Sequence, residues 1–321
     1  MKRSENKLDT MSFNEINRRD LIKRSSAAGL AVSLPLGLFT QELMASTPKR
    51  GGIFRAAVKG GSTTDSLDGA MLLDTHNIKT SWACRNNLTE IAADGSLVGE
   101  LAESWEASAD ATTWVFNIRK DVEFHNGKTL DAEDVIFSIN HHRGQDSTSG
   151  AAGLLKGITK LQSDGKNKVV FSLSGGNADF PFLLADYHLV IVPAGTSAEG
   201  WESGIGTGPY TLAEWQPGVQ SRGNRNPNYF KEGKPYFDEF LLLNVTDSVA
   251  RQSALISGTV DAIDSPELST MQQLMKVPSI EIKEAAGFTH YVYPMDTRVE
   301  PFNNNDVRLA LKYSIDREAF V

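Results

Sequence analysis

The sequence predicts an α/β fold, because two kinds of stretch alternate along it with Gly, Pro and Asn between them. Some stretches are apolar at every second residue or continuously, as strands are. Others open on a capping residue and are apolar at helical spacing.

Ile53–Val58 reads as the first strand. Trp114, Phe116 and Ile118 alternate with Val115, Asn117 and Arg119, the pattern of a half-buried strand, and Val169, Phe171 and Leu173 repeat it. The runs 189–192 (LVIV) and 240–243 (FLLL) are unbroken and are expected as strands covered on both faces. Asp131 caps a helix with Asp134 in its first turn and Val135 and Ile139 on one face. Asp247 caps a second, with Ala250, Ala254 and Leu255 inward and Gly258 as the stop. Ser265-Pro266 opens a third with Leu268, Met271 and Met275 on one side. Val307, Ala310, Leu311 and Ser314 line a fourth. Residues 144–153 are small and polar and read as an exposed loop.

The 321 residues are 40% hydrophobic and 22% charged, a globular composition, and the length accommodates about two domains. Net charge is −8, and residues 46–321 carry 25 basic against 35 acidic side chains. An acidic surface disfavours nucleic acid and anionic lipid. The single cysteine, Cys84, cannot form an internal disulfide or a cysteine zinc site. Gly-x-Ser-x-Gly and His-Glu-x-x-His are both absent, so the motifs of an exported hydrolase, the principal alternative class, are missing. A module that binds a partner protein is the other alternative.

Residues 1–45 read as an export signal. A basic stretch with the pair Arg18-Arg19 precedes about fifteen small or apolar residues, Ser25 to Phe39, too few for a bilayer span of about 20. The arginine pair resembles the twin-arginine signal. Cleavage is expected near Ala45, with an uncleaved anchor as the alternative, and the lack of cysteine there argues against a lipid anchor.

Four segments resemble the extracytoplasmic solute-binding proteins of peptide-type ABC transporters, family 5: 101–108 (LAESWEAS); 116–135 (FNIRKDVEFHNGKTLDAEDV); 206–210 (GTGPY) with Trp215, 225–230 (RNPNYF) and 233–235 (GKP); and Met295-Asp296-Thr297-Arg298 followed by 301–303 (PFN), Val307-Arg308 and 314–317 (SIDR). Asp296 and Phe230 depart from the family's usual Asn and Trp. The resemblance implies a periplasmic binding protein-like fold of type II, two-lobed with an extra subdomain, of which this chain holds mostly lobe I. It places lobe I at residues 46–286, with a core sheet from 46–66 and 202–286 and an inserted subdomain at 67–201. The crossing to a truncated lobe II would occupy 287–321. Members of the family are longer, so the chain reads as a fragment or an early-ended frame, and weak or no solute binding is expected of it alone. The implied role is capture of a small solute in the periplasm, without catalysis, cofactor or metal, by a monomer that delivers it to permease subunits. Peptide is the leading solute; a nickel complex, an opine or an oligosaccharide remain open.

Two stretches are the candidate solute contacts. After the first strand, Gly61, Ser62, Thr63, Thr64 and Asp65 form a loop whose glycine and hydroxyl residues admit close backbone approach; an ordinary polar loop is the alternative. Met295, Asp296, Thr297 and Arg298 lie, by resemblance, at the lobe crossing. The Arg298 fork suits a carboxylate, with a surface salt bridge as the alternative. Arg143 is a further candidate. His125-Asn126-Gly127 is a tight turn. His141 and His142 point about 100° apart on a helix and make no same-face metal pair. Gly206–Tyr210 is a stiff turn returning the chain to a sheet, not a phosphate loop, since Pro209 removes a donor.

Overall fold

A computed structural model describes residues 48–284, 287 and 292–320. The chain divides into two units, Met1–Pro48 and Lys49–Val321. The export signal read at residues 1–45 lies outside the described residues. In the second unit the order is β1 (Ile53–Val58), α1 (Thr75–Cys84), β2 (Thr89–Ile91), β3 (Leu97–Gly99), β4 (Ala102–Ala107), β5 (Thr113–Ile118) and α2 (Ala132–His141). Then follow β6 (Ile158–Ser163), β7 (Lys168–Leu173), α3 (Phe180–Leu183), α4 (Ala198–Glu202), β8 (Tyr210–Gln216), β9 (Gln220–Arg225), β10 (Glu239–Asn244), α5 (Ser248–Ile256), β11 (Ala262–Ile263), α6 (Met271–Leu274), α7 (Asn305–Tyr313) and α8 (Arg317–Phe320). No helix among the described residues is long and apolar enough to cross a membrane.

Two larger sheets organise this unit. The five-stranded one runs β11-β1-β10-β9-β8. β1 is parallel to β10 from Ile53↔Glu239 to Val58↔Asn244 and parallel to β11, while β9 joins β10 and β8 antiparallel. The four-stranded antiparallel sheet β4-β5-β7-β6 lies within the excursion between β1 and β8. Its core is aromatic: Phe116 meets Phe171 edge-on at 5.5 Å, and Phe171 meets Phe180 at 5.2 Å. Such pairs add to the burial of their area. Val135 and Ile139 of α2 are buried in the same cluster.

The capping reading of α2 holds. Asp131 accepts from the Glu133 and Asp134 amides, and Asp134 answers by accepting from the Asp131 amide at 2.9 Å. Asp134 is fully buried and also receives Lys128 and the Ala194 amide at 2.7 Å. The half-buried strands read from alternation are β5 and β7.

Other expectations are corrected. Residues 189–192 are buried but belong to no strand. Their backbone bonds run elsewhere: the Ile191 amide to Asn86 O, and Val192 to and from the Ser138 hydroxyl. A side chain replaces the ladder, which no apolar run announces. β10 is a strand, but only Phe240 and Leu242 are fully buried, so one face is better covered than the other. α5 keeps Ala254 and Leu255 half-buried as expected but buries Arg251 and Gln252 more deeply and leaves Ala250 exposed. The Arg251 guanidinium donates to the carbonyls of Val245, Thr246 and Ser265, and these bonds outweigh the apolar stripe. The third helix shrinks to a 3-10 turn and α6, with Leu268 exposed and Leu274 buried instead. The loop 144–153 is not wholly exposed: Ser149 and Ala151 are buried, and Ser149 Oγ lies 2.7 Å from His142 Nδ1.

The turns around residue 206 fix the excursion to the sheet. A Cβ on Gly208 would sit 2.2 Å from the Cys84 carbonyl carbon, and one on Gly206 would sit 2.4 Å from Cys84 O. The chain therefore passes against the end of α1 at a distance only glycine permits. His125 locks this turn, its amide donating to Gly206 O and its Nε2 lying 3.0 Å from Gly208 O. The histidine is structural, as its turn motif implied.

Two consequences are measurable. Gly208→Ala forces backbone against backbone and is expected to cost about 3 kcal/mol, which lowers the thermal midpoint by roughly 10 °C. Burial pushes the His76 and His142 imidazoles down to about 4. Both stay neutral in the folded chain while the unfolded chain protonates near 6.5. The stability they contribute is full above that value and is lost as pH falls toward 4. The urea midpoint should drop between about pH 7 and about pH 5, with a shallower slope in His142→Phe.

Candidate functional site

β1 delivers the chain into the loop 59–68, and four outside groups hold that loop. The Lys59 amide donates to Asp264 Oδ1 at 2.8 Å. The Gly60 carbonyl accepts from the His76 amide at 3.0 Å, bracing the start of α1. Asn244, at the end of β10, donates through Nδ2 to Gly61 O at 3.1 Å and to Gly218 O at 2.8 Å. A Cβ on Gly61 would lie 2.8 Å from that same nitrogen, so the glycine is required by close packing. From below, Glu202 accepts from Ser66 Oγ, the Leu67 amide at 3.1 Å and Trp215 Nε1 at 3.2 Å. Trp215 stacks on the buried His76 with ring centroids 5.1 Å apart.

Within this frame the loop closes on itself. The Ser62 amide donates to Asp65 Oδ2 at 3.0 Å, the Asp65 amide returns to Ser62 O at 3.0 Å, and the Ser62 and Thr64 hydroxyls share a bond of 2.8 Å. Thr63 and Thr64 are exposed at the tip, while Ser62 and Asp65 are half-buried. Burial, aided by the neighbouring Asp74 carboxylate, raises the Asp65 carboxyl above the usual range. The loop thus offers hydroxyls, a close backbone and carboxylate to a polar molecule.

Met295 is half-buried and Asp296, Thr297 and Arg298 are exposed. Arg298 does make a fork with a carboxylate, and that carboxylate is Asp296: Nε to Oδ1 and Nη2 to Oδ2 are both 2.8 Å. Arg143 is taken up inside the four-stranded sheet's unit, donating to Asn140 Oδ1 at 2.8 Å and to Ile158 O at 2.7 Å. No hydrogen bond among the described residues joins Gly61–Asp65, Met295–Arg298 and Arg143 to one another. The supports Glu202, Asn244 and His76 were not foreseen; they converge from three distant elements, and no local motif marks them.

For chemistry, the described residues offer little. The contact between Ser149 and His142 is buried on both sides, and the serine oxygen also accepts from the Ala151 amide. His141 Nε2 lies 2.6 Å from Asp68 Oδ1 and its ring stacks on Trp201. No group of three or more His, Cys, Asp or Glu among the described residues could hold a metal ion.

Comparison with known proteins gives one consistent result. A family model described as bacterial extracellular solute-binding proteins, family 5 (middle), matches residues 96–321. The di/tripeptide-binding protein 1 of Pseudomonas aeruginosa is 27% identical over 263 residues, 74% of this chain and 49% of that protein. The binding protein AgaA of A. tumefaciens R10, solved with agropinic acid, is 28% identical with a TM-score of 0.66, over 71% of this chain and 46% of its own. The periplasmic binding protein DppA of Helicobacter pylori, solved with the peptide STSA, superposes with a TM-score of 0.70 at 23% identity, over 85% of this chain and 58% of its own. The chain spans about half the length of the curated relatives it matches. Its sheets are those of a periplasmic binding protein, and the chain belongs to the bacterial extracellular solute-binding proteins of family 5.

Proposed function

We propose that this chain is the solute-capturing part of an ABC importer, working in the periplasm after export, by the twin-arginine route, and handing its solute unaltered to permease subunits. The family match over residues 96–321 carries the reading. A short peptide is the leading solute, since the relative named above is a di/tripeptide binder; an opine is the second, after AgaA.

In this reading residues 46–286 form the first lobe. That division is supported by the presence of β1 and β8–β11 in one sheet and by the separate sheet of residues 102–173. Residues 287–321 begin the second lobe. The loop Gly61–Asp65 and the segment Met295–Arg298 face the solute. Asp65 receives a ligand ammonium, and a ligand carboxylate takes the place Asp296 holds on Arg298. Arg143, engaged by Asn140 and Ile158, is a peripheral contact. A ligand touching both lobes favours the closed form, and moving from mostly open to mostly closed takes about 10⁴-fold preference.

Calorimetric titration with trialanine and its N-acetyl form tests this. The free peptide should bind better, and Asp65→Asn should weaken it about tenfold, the loss of one charge-assisted bond. Equal or tighter binding of the N-acetyl form, or hydrolysis of the added peptide seen by mass spectrometry, would count against the reading.

A further inference from the structure

A cavity of about 360 Å³ lies where the end of α1, the β2–β3 hairpin and the chain after β9 meet, and none of Gly61–Asp65 lines it. Its size suits a small ligand. Lys231 and the buried Arg85 face Glu90 and Glu100, two cations against two carboxylates, with Tyr229 on the wall, and Trp82 and Ile91 stand half-exposed beside them.

The two carboxylates are held very differently. Glu100 is buried and saturated: Oε1 accepts from Asn86 Nδ2 at 2.6 Å and from Lys231 Nζ at 3.1 Å, and Oε2 from the Asn87 amide at 2.8 Å. Glu90 is 39% exposed and meets Lys231 Nζ at 2.5 Å. Burial pushes the Glu100 carboxyl up to about 7. Against its own partial burial, Lys231 holds Glu90 below the usual range. Of the two carboxylates on Lys231, Glu90 is the nearer and the exposed one, and Glu100 the buried one.

The Lys231–Glu90 pair is the part of this site that a ligand can exchange. An incoming amine would pair with Glu90, leave Lys231 on Glu100 alone and add an unmatched cation to the cavity. An incoming carboxylate would pair with Lys231 and strand Glu90. Leaving a partly buried charge unpaired is costly in either case. A molecule bearing both groups replaces the pair end for end, its ammonium on Glu90 and its carboxylate on Lys231, and every charge stays matched. The neighbouring Trp82 and Ile91 give an apolar substituent a surface to cover. We propose that this cavity is a second ligand site, distinct from the loop 61–65, that takes a small zwitterion: an α-amino acid with an apolar side chain.

The test uses the full chain and three probes: L-leucine, isoamylamine, which is leucine without its carboxylate, and 4-methylpentanoate, which is leucine without its ammonium. Amide and indole shifts are followed by NMR. Leucine should bind saturably and shift Thr89–Ile91, Lys231 and the Trp82 indole, with the amine and the acid each at least about tenfold weaker, the size of one lost ion pair in a partly buried site. Glu90→Gln should weaken leucine by a similar factor. Shifts centred on Gly61–Asp65, equal binding of all three probes, or no saturable binding at millimolar leucine would overturn the proposal. Should Glu90→Gln fail to fold, the probe series and the shift map on the unaltered chain decide the matter.

Discussion

The second unit depends on β1 being paired along both edges by strands that lie far along the chain. Ile53 stands opposite Glu239, and Ala56 opposite Ala262. Closing so long an excursion costs chain entropy, but the cost grows only slowly with length. What it secures is specific. Arg55 reinforces the β11 side by a two-pronged bond to Asp261, whose Oδ2 also accepts the Arg55 amide. The loop 59–68 is positioned only because β1 ends where β10 and β11 end, so that Asn244 and Asp264 arrive beside it. Without that parallel register the candidate loop would have no floor.

Close backbone approach recurs wherever the excursion touches the sheet. Gly206 and Gly208 lie against the end of α1, and Gly218 leaves no room for a side chain beside Ser62. The adjoining Arg85 is fully buried without a carboxylate contact. Its guanidinium donates to the carbonyls of Leu67 and Trp201 and stacks over the Trp201 ring at 5.1 Å. Burial pulls it down to about 10, yet it remains a cation bonded to carbonyl oxygen, which is how a buried charge is tolerated. One side chain thereby ties the loop after β1 to α4 and the turn before β8.

α7 stands apart from this packing. It is capped by Asn304 and strongly amphipathic, yet none of its residues is buried, and Leu309, Leu311 and Tyr313 are exposed. Its helical character comes from capping and local spacing alone. The sequence pattern for this helix was therefore sound, while its inward face, read from Val307, Ala310 and Leu311, has no core to meet among the described residues.

The α/β class, the alternating strands β5 and β7, the caps at Asp131 and Asp247 and the family resemblance were all legible from residue order, because each rests on spacing within a few neighbours. Tertiary structure alone decided where local rules were overruled by distant partners. α1 was invisible because its buried face is polar, His76, Asn77, Thr80 and Ser81, and Thr80 is satisfied by Ser221 on β9. Arg251 turned α5 because three loop carbonyls needed donors. Residues 189–192 lost their ladder to Asn86 and Ser138. In each case a hydrogen-bonding group found its partner far along the chain, and periodicity carries information about water and core, not about which polar atom will answer which.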